Sequence, residues 1–431
     1  AEDLGKSIPE TLAELSSVAD ACKFLQKRAR ALLAPRWESR RTRPFAYFGQ
    51  RDVTFRRPRG VVGIIGTWNY PIFLNGVQLL QALTAGNAVL WKPSEVAPRT
   101  ARAVAALFEK AGFPKGLLHT LAATREAGPL LLEADIDHLV FTGSVSTGRV
   151  IAEKLGRRLI SSTLELSGCD AAFVLEDADL DLTARAVWFG TILNRGQTCL
   201  AVRRVFVPRS RYRDLIELLR PLAESAPPLK LALASQATQA ERLVREAVEQ
   251  GATLLGQLEV VGDQCRPVLV LDARPDLALL REALFAPIAA VLPYDDLEQA
   301  LAVDGTCPFG LGASIFTASR RRAEELAGRL RVGAVTINDV IVPTARPETA
   351  FGGRKDSGWG VTQGAEGLLE MTVPQVVSYK SGRFRPHFDM PSGGTSATMI
   401  RGLLEMGHAR SFWARCKGLW KMFRGLRGGV T

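Results

Sequence analysis

The 431-residue chain is poor in the residues that would make it a metal or disulfide protein. It has four histidines and six cysteines, at positions 22, 169, 199, 265, 307 and 416, with no Cys-x-x-Cys pair. That scatter argues against a disulfide framework and against a zinc site, so no metal is expected. Free thiols of this kind belong in a reducing cytoplasm. No uncharged apolar run reaches the roughly 18 residues needed to cross a bilayer, and the first residues, AEDLGKSIPE, hold no signal-peptide apolar stretch. There is no low-complexity tract and no internal repeat. Acidic charge is also short: the net charge is +11, and the excess is local. Residues 38 to 59 carry seven arginines against Glu38 and Asp52, and residues 391 to 431 carry seven Lys/Arg against Glu405. No helix-turn-helix, zinc-finger or RNP-type pattern accompanies this charge, so nucleic acid is not the expected partner.

What is present is a large globular composition, 47% hydrophobic and 23% charged. A chain this long exceeds the roughly 250 to 300 residues at which one core stops growing, which predicts more than one domain. From residue 60 to about 165, strand-like and helix-like segments alternate as in parallel βαβ units. VVGIIG (61 to 66), AVLWK and DHLVFT (137 to 142) read as strands; VQLLQALTAG and TARAVAALFEKAG, closed by Gly112, read as helices. The expected class is α/β, with a doubly wound parallel sheet here. A second α/β stretch follows, with strands at VRRVFVP (202 to 208), RPVLVLD (266 to 272), PIAAVLPY (287 to 294) and RVGAVTIND (331 to 339). Breaks fall at SAPPL near 225 to 229 and at PSGGTS (391 to 396).

Five short stretches have chemistry to offer, and each also has an ordinary structural explanation. FTGSVSTG (141 to 148), with Gly143 and Ser144, follows a strand and opens a helix. It reads as an anion cradle or as a plain glycine turn. LWKPSE puts Lys92 and Glu95 just past a strand end, where a lysine reaches ribose hydroxyls and a glutamate accepts from a 2'-OH while repelling a 2'-phosphate. It is otherwise a polar loop. TLELSG carries Glu165 among leucines, where desolvation raises a carboxylate toward a competent base, or where it is simply a buried structural acid. GTWNYP (66 to 71) offers Asn69 as a rigid amide donor to an oxyanion, or as a capping residue. In NRGQTC, Cys199 has no histidine nearby and is either a nucleophile or an inert core thiol.

Together these pieces, with EALFAP and FGGRKDSGWG, resemble in order and spacing the successive motifs of the aldehyde dehydrogenase family, nearest its short class-3-like branch. The resemblance runs from residue 1 to about 388. It implies that Cys199 attacks an aldehyde carbonyl, that Asn69 and the Cys199 N–H stabilise the oxyanion, and that Glu165 activates the water that releases the acid. It implies NAD as cofactor, with NADP also accepted. Lys92 and Glu95 would hold the adenosine ribose and Ser144 the pyrophosphate. Trp68 and Phe285 would wall the nicotinamide pocket. Three parts are then expected: a dinucleotide-binding domain (1–37 and 61–165), a catalytic domain (166–374), and a β bridging element (38–60 and 375–388) that makes a homodimer. The chain also begins about one or two helices later than family members, as a naturally short form or an incompletely assigned start would.

The sequence departs from the family pattern at ELSGC, with Ser167 and Cys169 in place of glycine and lysine. It departs again at EALFAP, where Ala283 replaces a glutamate. Losing that carboxylate is expected to loosen the nicotinamide half by about 1 to 2 kcal/mol. The alternative this raises is a weakly active or inactive relative serving as a membrane-associated scaffold. The tail (389–431) has no family counterpart. RSFWARCKGLWKMFRGLR (410 to 427) spaces Phe412, Trp413, Cys416, Leu419, Trp420, Phe423 and Leu426 by three or four, with six Lys/Arg between them. It reads as a basic amphipathic helix that lies in an anionic membrane surface, or else packs on the enzyme or a partner subunit. A membrane location makes apolar or lipid-derived aldehydes the expected substrates.

Overall fold

The structure, a computed structural model, describes residues 2–44, 47, 49–383, 385 and 394–427. It divides into two compact units, residues 1–32 with 58–373 and residues 33–57 with 374–431.

The larger unit holds two large sheets, of six and seven strands, and two small ones. In the first, the strands run in the order Gly358–Trp359, Ser161–Leu166, His138–Gly143, Val61–Ile65, Ala88–Lys92, Leu118–Thr120. All neighbours are parallel except the Gly358–Trp359 edge. Chain order moves outward on one side of Val61–Ile65 and then returns to start again on the other. The crevice between Val61–Ile65 and His138–Gly143 is therefore the switch point of a doubly wound sheet, where loops leave in opposite directions and a ligand can enter. Val62, Ile64, Val89, Trp91, Leu139 and Val140 are at most 1% exposed, as strands covered by helices on both faces require.

The second sheet orders its strands Thr253–Leu255, Val268–Leu271, Ile288–Tyr294, Val202–Pro208, Asp170–Val174, Gly312–Phe316, Ala334–Ile337. Only the Thr253–Leu255 edge is antiparallel. Phe173 and Phe206 stack at its centre, 5.1 Å between centroids. The sequence expectation of alternating α/β units thus holds in both halves. A 25-residue helix, Ile8–Leu32, precedes them. It was not expected from the sequence, because alanines and charged residues break up its apolar stripe and it buries only Ala21, Phe24, Leu25, Ala29 and the acidic Glu14.

The smaller unit is a three-stranded sheet, Arg36–Trp37, Gln50–Pro58 and Thr372–Lys380, followed by helices Gly394–His408 and Phe412–Arg427. Arg36 pairs with Thr54 and Trp37 with Val53, so this sheet starts before the expected boundary at residue 38. Residues 45, 46, 48, 384 and 386–388 of the expected bridging element, and 391–393 of the expected break, lie outside the described residues.

Candidate active site

The carboxyl ends of three parallel strands place the expected residues. Val61–Ile65 runs into Thr67, Trp68 and Asn69; Ala88–Lys92 ends on Lys92; His138–Gly143 runs into Ser144. A cavity of about 590 Å³ is lined by Trp68, Asn69, Gly143, Ser144, Glu165, Cys199, Ala283 and Phe285, among others. Of the expected residues, Lys92 and Glu95 do not line it; they lie at the end of the adjacent strand.

The Cys199 loop has an unusual backbone. Asn194, Arg195 and Gly196 take φ of 50°, 62° and 72°, three successive left-handed residues of which only the glycine is at ease. A Cβ on Gly196 would overlap the Ala286 carbonyl. The strain is held by hydrogen bonds. Asn194 Nδ2 donates to the carbonyls of Asn69 and Gln197 (both 3.1 Å), and Arg195 pairs with Glu10 at 3.0 Å. The buried Arg203 guanidinium donates to the carbonyls of Gly196 and Ala286, and to that of Ile288 at 3.0 Å. Arg203 and Glu10 lie outside every motif and Asn194 was only the first letter of NRGQTC, so their roles become visible only once the chain is folded.

Asn69 is 3% exposed and its amide is fixed. Its Oδ1 accepts from Thr67 Oγ1 at 2.8 Å, and its Nδ2 donates to the Gln197 carbonyl at 3.1 Å, leaving one N–H of the amide for the cavity. Its carbonyl accepts from Lys6 Nζ at 2.6 Å; Lys6 in turn pairs with Glu14 at 2.6 Å, both buried. Glu14 Oε2 accepts from the N–H groups of Ile72 and Phe73, at the start of helix Phe73–Thr84. The amino-terminal helix therefore anchors the Asn69 loop.

Glu165 is 3% exposed, and burial pushes its carboxyl up to about 7. Thr142 stands directly across from it in the strand register and donates to Oε2 at 3.4 Å, while Oε1 has no hydrogen-bond partner. That pairing was hidden in the sequence, since Thr142 sits in a different motif. Burial also pushes the Cys199 thiol well above its ordinary value, with the Glu165 and Asp170 carboxylates adding to the effect. The N–H groups of Leu200 and Cys199 itself pull the other way.

On the cofactor side, Ser144 is the N-cap of helix Val145–Arg157, accepting from the Thr147 N–H. Its turn lies against a ring: a Cβ on Gly143 would overlap Phe141, so only glycine lets the backbone pass there. The helix-start N–H groups beyond it suit a phosphate. Trp68 and Phe285 face each other with centroids 5.8 Å apart. Lys92 Nζ donates to Glu95 Oε2 at 2.9 Å and Arg125 Nε to Glu95 Oε1 at 3.0 Å. Partial burial alone would raise the Glu95 carboxyl, but the Lys92 hydrogen bond overrides it and holds the group down at about 2. Ala283 lines the cavity as expected; the neighbouring Glu282 is turned to Gln239 (3.0 Å) and Arg242 (3.3 Å). Cys169 is buried and donates to the Leu280 carbonyl at 3.6 Å. Among the described residues no cluster of His, Cys, Asp and Glu suits a metal ion.

A doubly wound sheet with a phosphate-fitting turn at its switch point, opening onto a thiol and a buried carboxylate, is the architecture of a pyridine-nucleotide-linked oxidoreductase. Residues 1–377 match the aldehyde dehydrogenase family. The chain belongs to that family, and its activity is the NAD(P)-dependent oxidation of an aldehyde to an acid. It is 36% identical to a 4,4'-diapolycopene aldehyde oxidase of Methylomonas sp. over 371 residues, 84% of this chain and 70% of the relative. Among solved structures it resembles an NADP-dependent glyceraldehyde-3-phosphate dehydrogenase of Bacillus halodurans C-125 complexed with NADP, with TM-score 0.82, 30% identity, and coverage of 88% and 81%. The NAD+ complex of an aldehyde dehydrogenase of Bacillus cereus gives TM-score 0.78, 27% identity, and coverage of 85% and 76%. The alternative of a scaffold without catalysis finds no support in these relatives.

Proposed function

We propose that Cys199 is the nucleophile, Asn69 the oxyanion donor and Glu165 the general base of this oxidation. The observation that carries the reading is the open Oε1 of a deeply buried Glu165 in the cavity that also holds Cys199 and Asn69. With its carboxyl at about 7, Glu165 is near half-ionised at neutral pH and can both accept and release a proton. Cys199 releases its proton to solvent in the open cavity as its sulfur adds to the aldehyde carbon, giving a thiohemiacetal as its oxyanion. The fixed Asn69 amide and the Cys199 N–H donate to the new oxyanion.

The turn at Gly143 and Ser144, the Trp68 and Phe285 rings, and the Lys92–Glu95 pair would hold NAD or NADP, which supplies the hydride acceptor. After oxidation the acyl group remains on Cys199 as a thioester. Glu165 takes a proton from water, the hydroxyl adds to the thioester carbon, and the acid leaves as the Cys199 sulfur is released. Glu95, carrying a full negative charge, favours a free 2'-hydroxyl and hence NAD.

We read residues 1–32 and 61–165 as the dinucleotide part, 166–371 as the catalytic part, and the small sheet, which takes in Arg36–Trp37 and Thr372–Lys380, as the bridge of a homodimer. The enzyme works in the cytoplasm, associated with a membrane, on an apolar or lipid-derived aldehyde. The test is a panel of aliphatic and aromatic aldehydes with NAD and NADP followed at 340 nm. Reduction by the parent protein and its loss, by a factor of about 10³ or more, in a folded Cys199→Ala variant is the expected outcome. An active Cys199→Ala variant would overturn the assignment.

A further inference from the structure

The tail is a helical hairpin, and its apolar surface is left over after the hairpin has packed. Gly394–His408 and Phe412–Arg427 cross at two glycines. A Cβ on Gly402 would lie 2.6 Å from the Gly418 carbonyl oxygen and 2.6 Å from the Met422 nitrogen, and one on Gly418 2.7 Å from the Gly402 carbonyl oxygen. Met399 and Met422 are 3% and 4% exposed, and Lys421 pairs with Glu405 at 2.5 Å. The packed face of the second helix is thus centred on Gly418, Lys421 and Met422.

At about 100° per residue, Phe412, Cys416, Leu419 and Phe423 stand on a different face, continued by Trp413 and Trp420, in an arc of about 120°. Phe412 and Trp413 are 71% and 79% exposed, and Trp420 and Phe423 more than half exposed. Lys417 and Arg424 lie along one edge of this arc and Arg415 along the other. Arg424 extends over the Trp420 ring, 5.2 Å from its centroid. Residues 410 to 427 hold six Lys/Arg and no acid.

Building on the membrane-associated reading above, we infer that this face of the hairpin is a reversible anchor for anionic lipid. The charge pattern selects the occupant. A second copy of the hairpin would set one strongly basic rim against another, whereas a bilayer with acidic headgroups meets both the rim and the aromatic arc. Tryptophans beside Lys/Arg suit the boundary between headgroups and acyl chains. No helix among the described residues is long and apolar enough to cross a membrane, so the contact lies in the plane of the surface.

The experiment is co-sedimentation of the full chain with phosphatidylcholine vesicles, with and without about 30 mol% phosphatidylserine, at low and high salt. Binding is expected only with phosphatidylserine and is weakened by salt. Lys417→Gln and Arg424→Gln should each weaken it about fivefold, the worth of one basic side chain near an anionic surface. A Phe412→Ser/Trp413→Ser/Trp420→Ser variant should lose it while oxidising a short water-soluble aldehyde at the parent rate. Equal sedimentation of parent and triple variant would overturn the inference. So would a parent that ignores vesicles but loses oligomeric mass, by light scattering, when the triple variant is made, since the face would then dock protein. Absence of aldehyde oxidation in the parent would count against the catalytic reading alone and leave the vesicle result standing.

Discussion

Glu165 and Asp170 are two buried carboxyls that burial raises to about 7 and about 8, above the ordinary carboxylate values they regain on unfolding. For a raised acid the folded state holds its proton more tightly, so the stabilisation is complete below about pH 4 and is lost as pH rises through about 7 to 8. Glu165→Gln is therefore expected to leave stability near pH 4 unchanged and to raise it at pH 9 by up to about 3 kcal/mol, read from urea melts at the two values. In the same variant thioester release should slow, leaving a burst of NAD(P)H without steady turnover. Glu95 argues differently, because its charge is held by Lys92 and Arg125 and not by burial. Removing it in Glu95→Gln should raise the NADP to NAD ratio of kcat/KM about tenfold, the effect of about 1.4 kcal/mol of repulsion at a half-exposed site.

At the scale of elements, the loop before Cys199 is the most constrained piece of backbone in the site. Gly196→Ala combines an unfavourable positive φ with a Cβ placed into the Ala286 carbonyl. The expected cost is more than about 2 kcal/mol in thermal unfolding, with activity falling further than stability because Cys199 shifts with the loop. Many strands were legible because a buried parallel strand is a short run of Val, Ile and Leu between turn residues, and Val61–Ile65 and Val202–Pro208 fall where those runs are; Asp170–Val174 (DAAFV) and Gly312–Phe316 (GASIF), with small residues breaking the run, went unread. Helix Ile8–Leu32 was not legible either, since alanines and charged residues break up its apolar stripe and its acid Glu14 points inward. Nor could a run of residues reveal register, which alone brings Thr142 opposite Glu165. The tail's second helix was readable from its aromatic spacing. Its first helix, Gly394–His408, begins at a glycine that normally argues for a break, so one helix was expected where two form a hairpin.

For the whole molecule, the small sheet leaves Trp37, Val376 and Tyr379 more than half exposed, with Trp37 and Tyr379 rings 5.9 Å apart. Such a patch suits the homodimer proposed for it. Val376→Asp is expected to convert dimers to monomers by light scattering, with little change in the unfolding of each chain. The Asn69 amide, in contrast, depends on contacts at long sequence range, since Lys6 and Glu14 stand some 60 residues ahead of the loop they hold. Both sheets are built without those two residues. The site therefore leans on a helix that neither sheet needs, so Lys6→Ala or Glu14→Ala is expected to lower activity further than it lowers the unfolding temperature of the core.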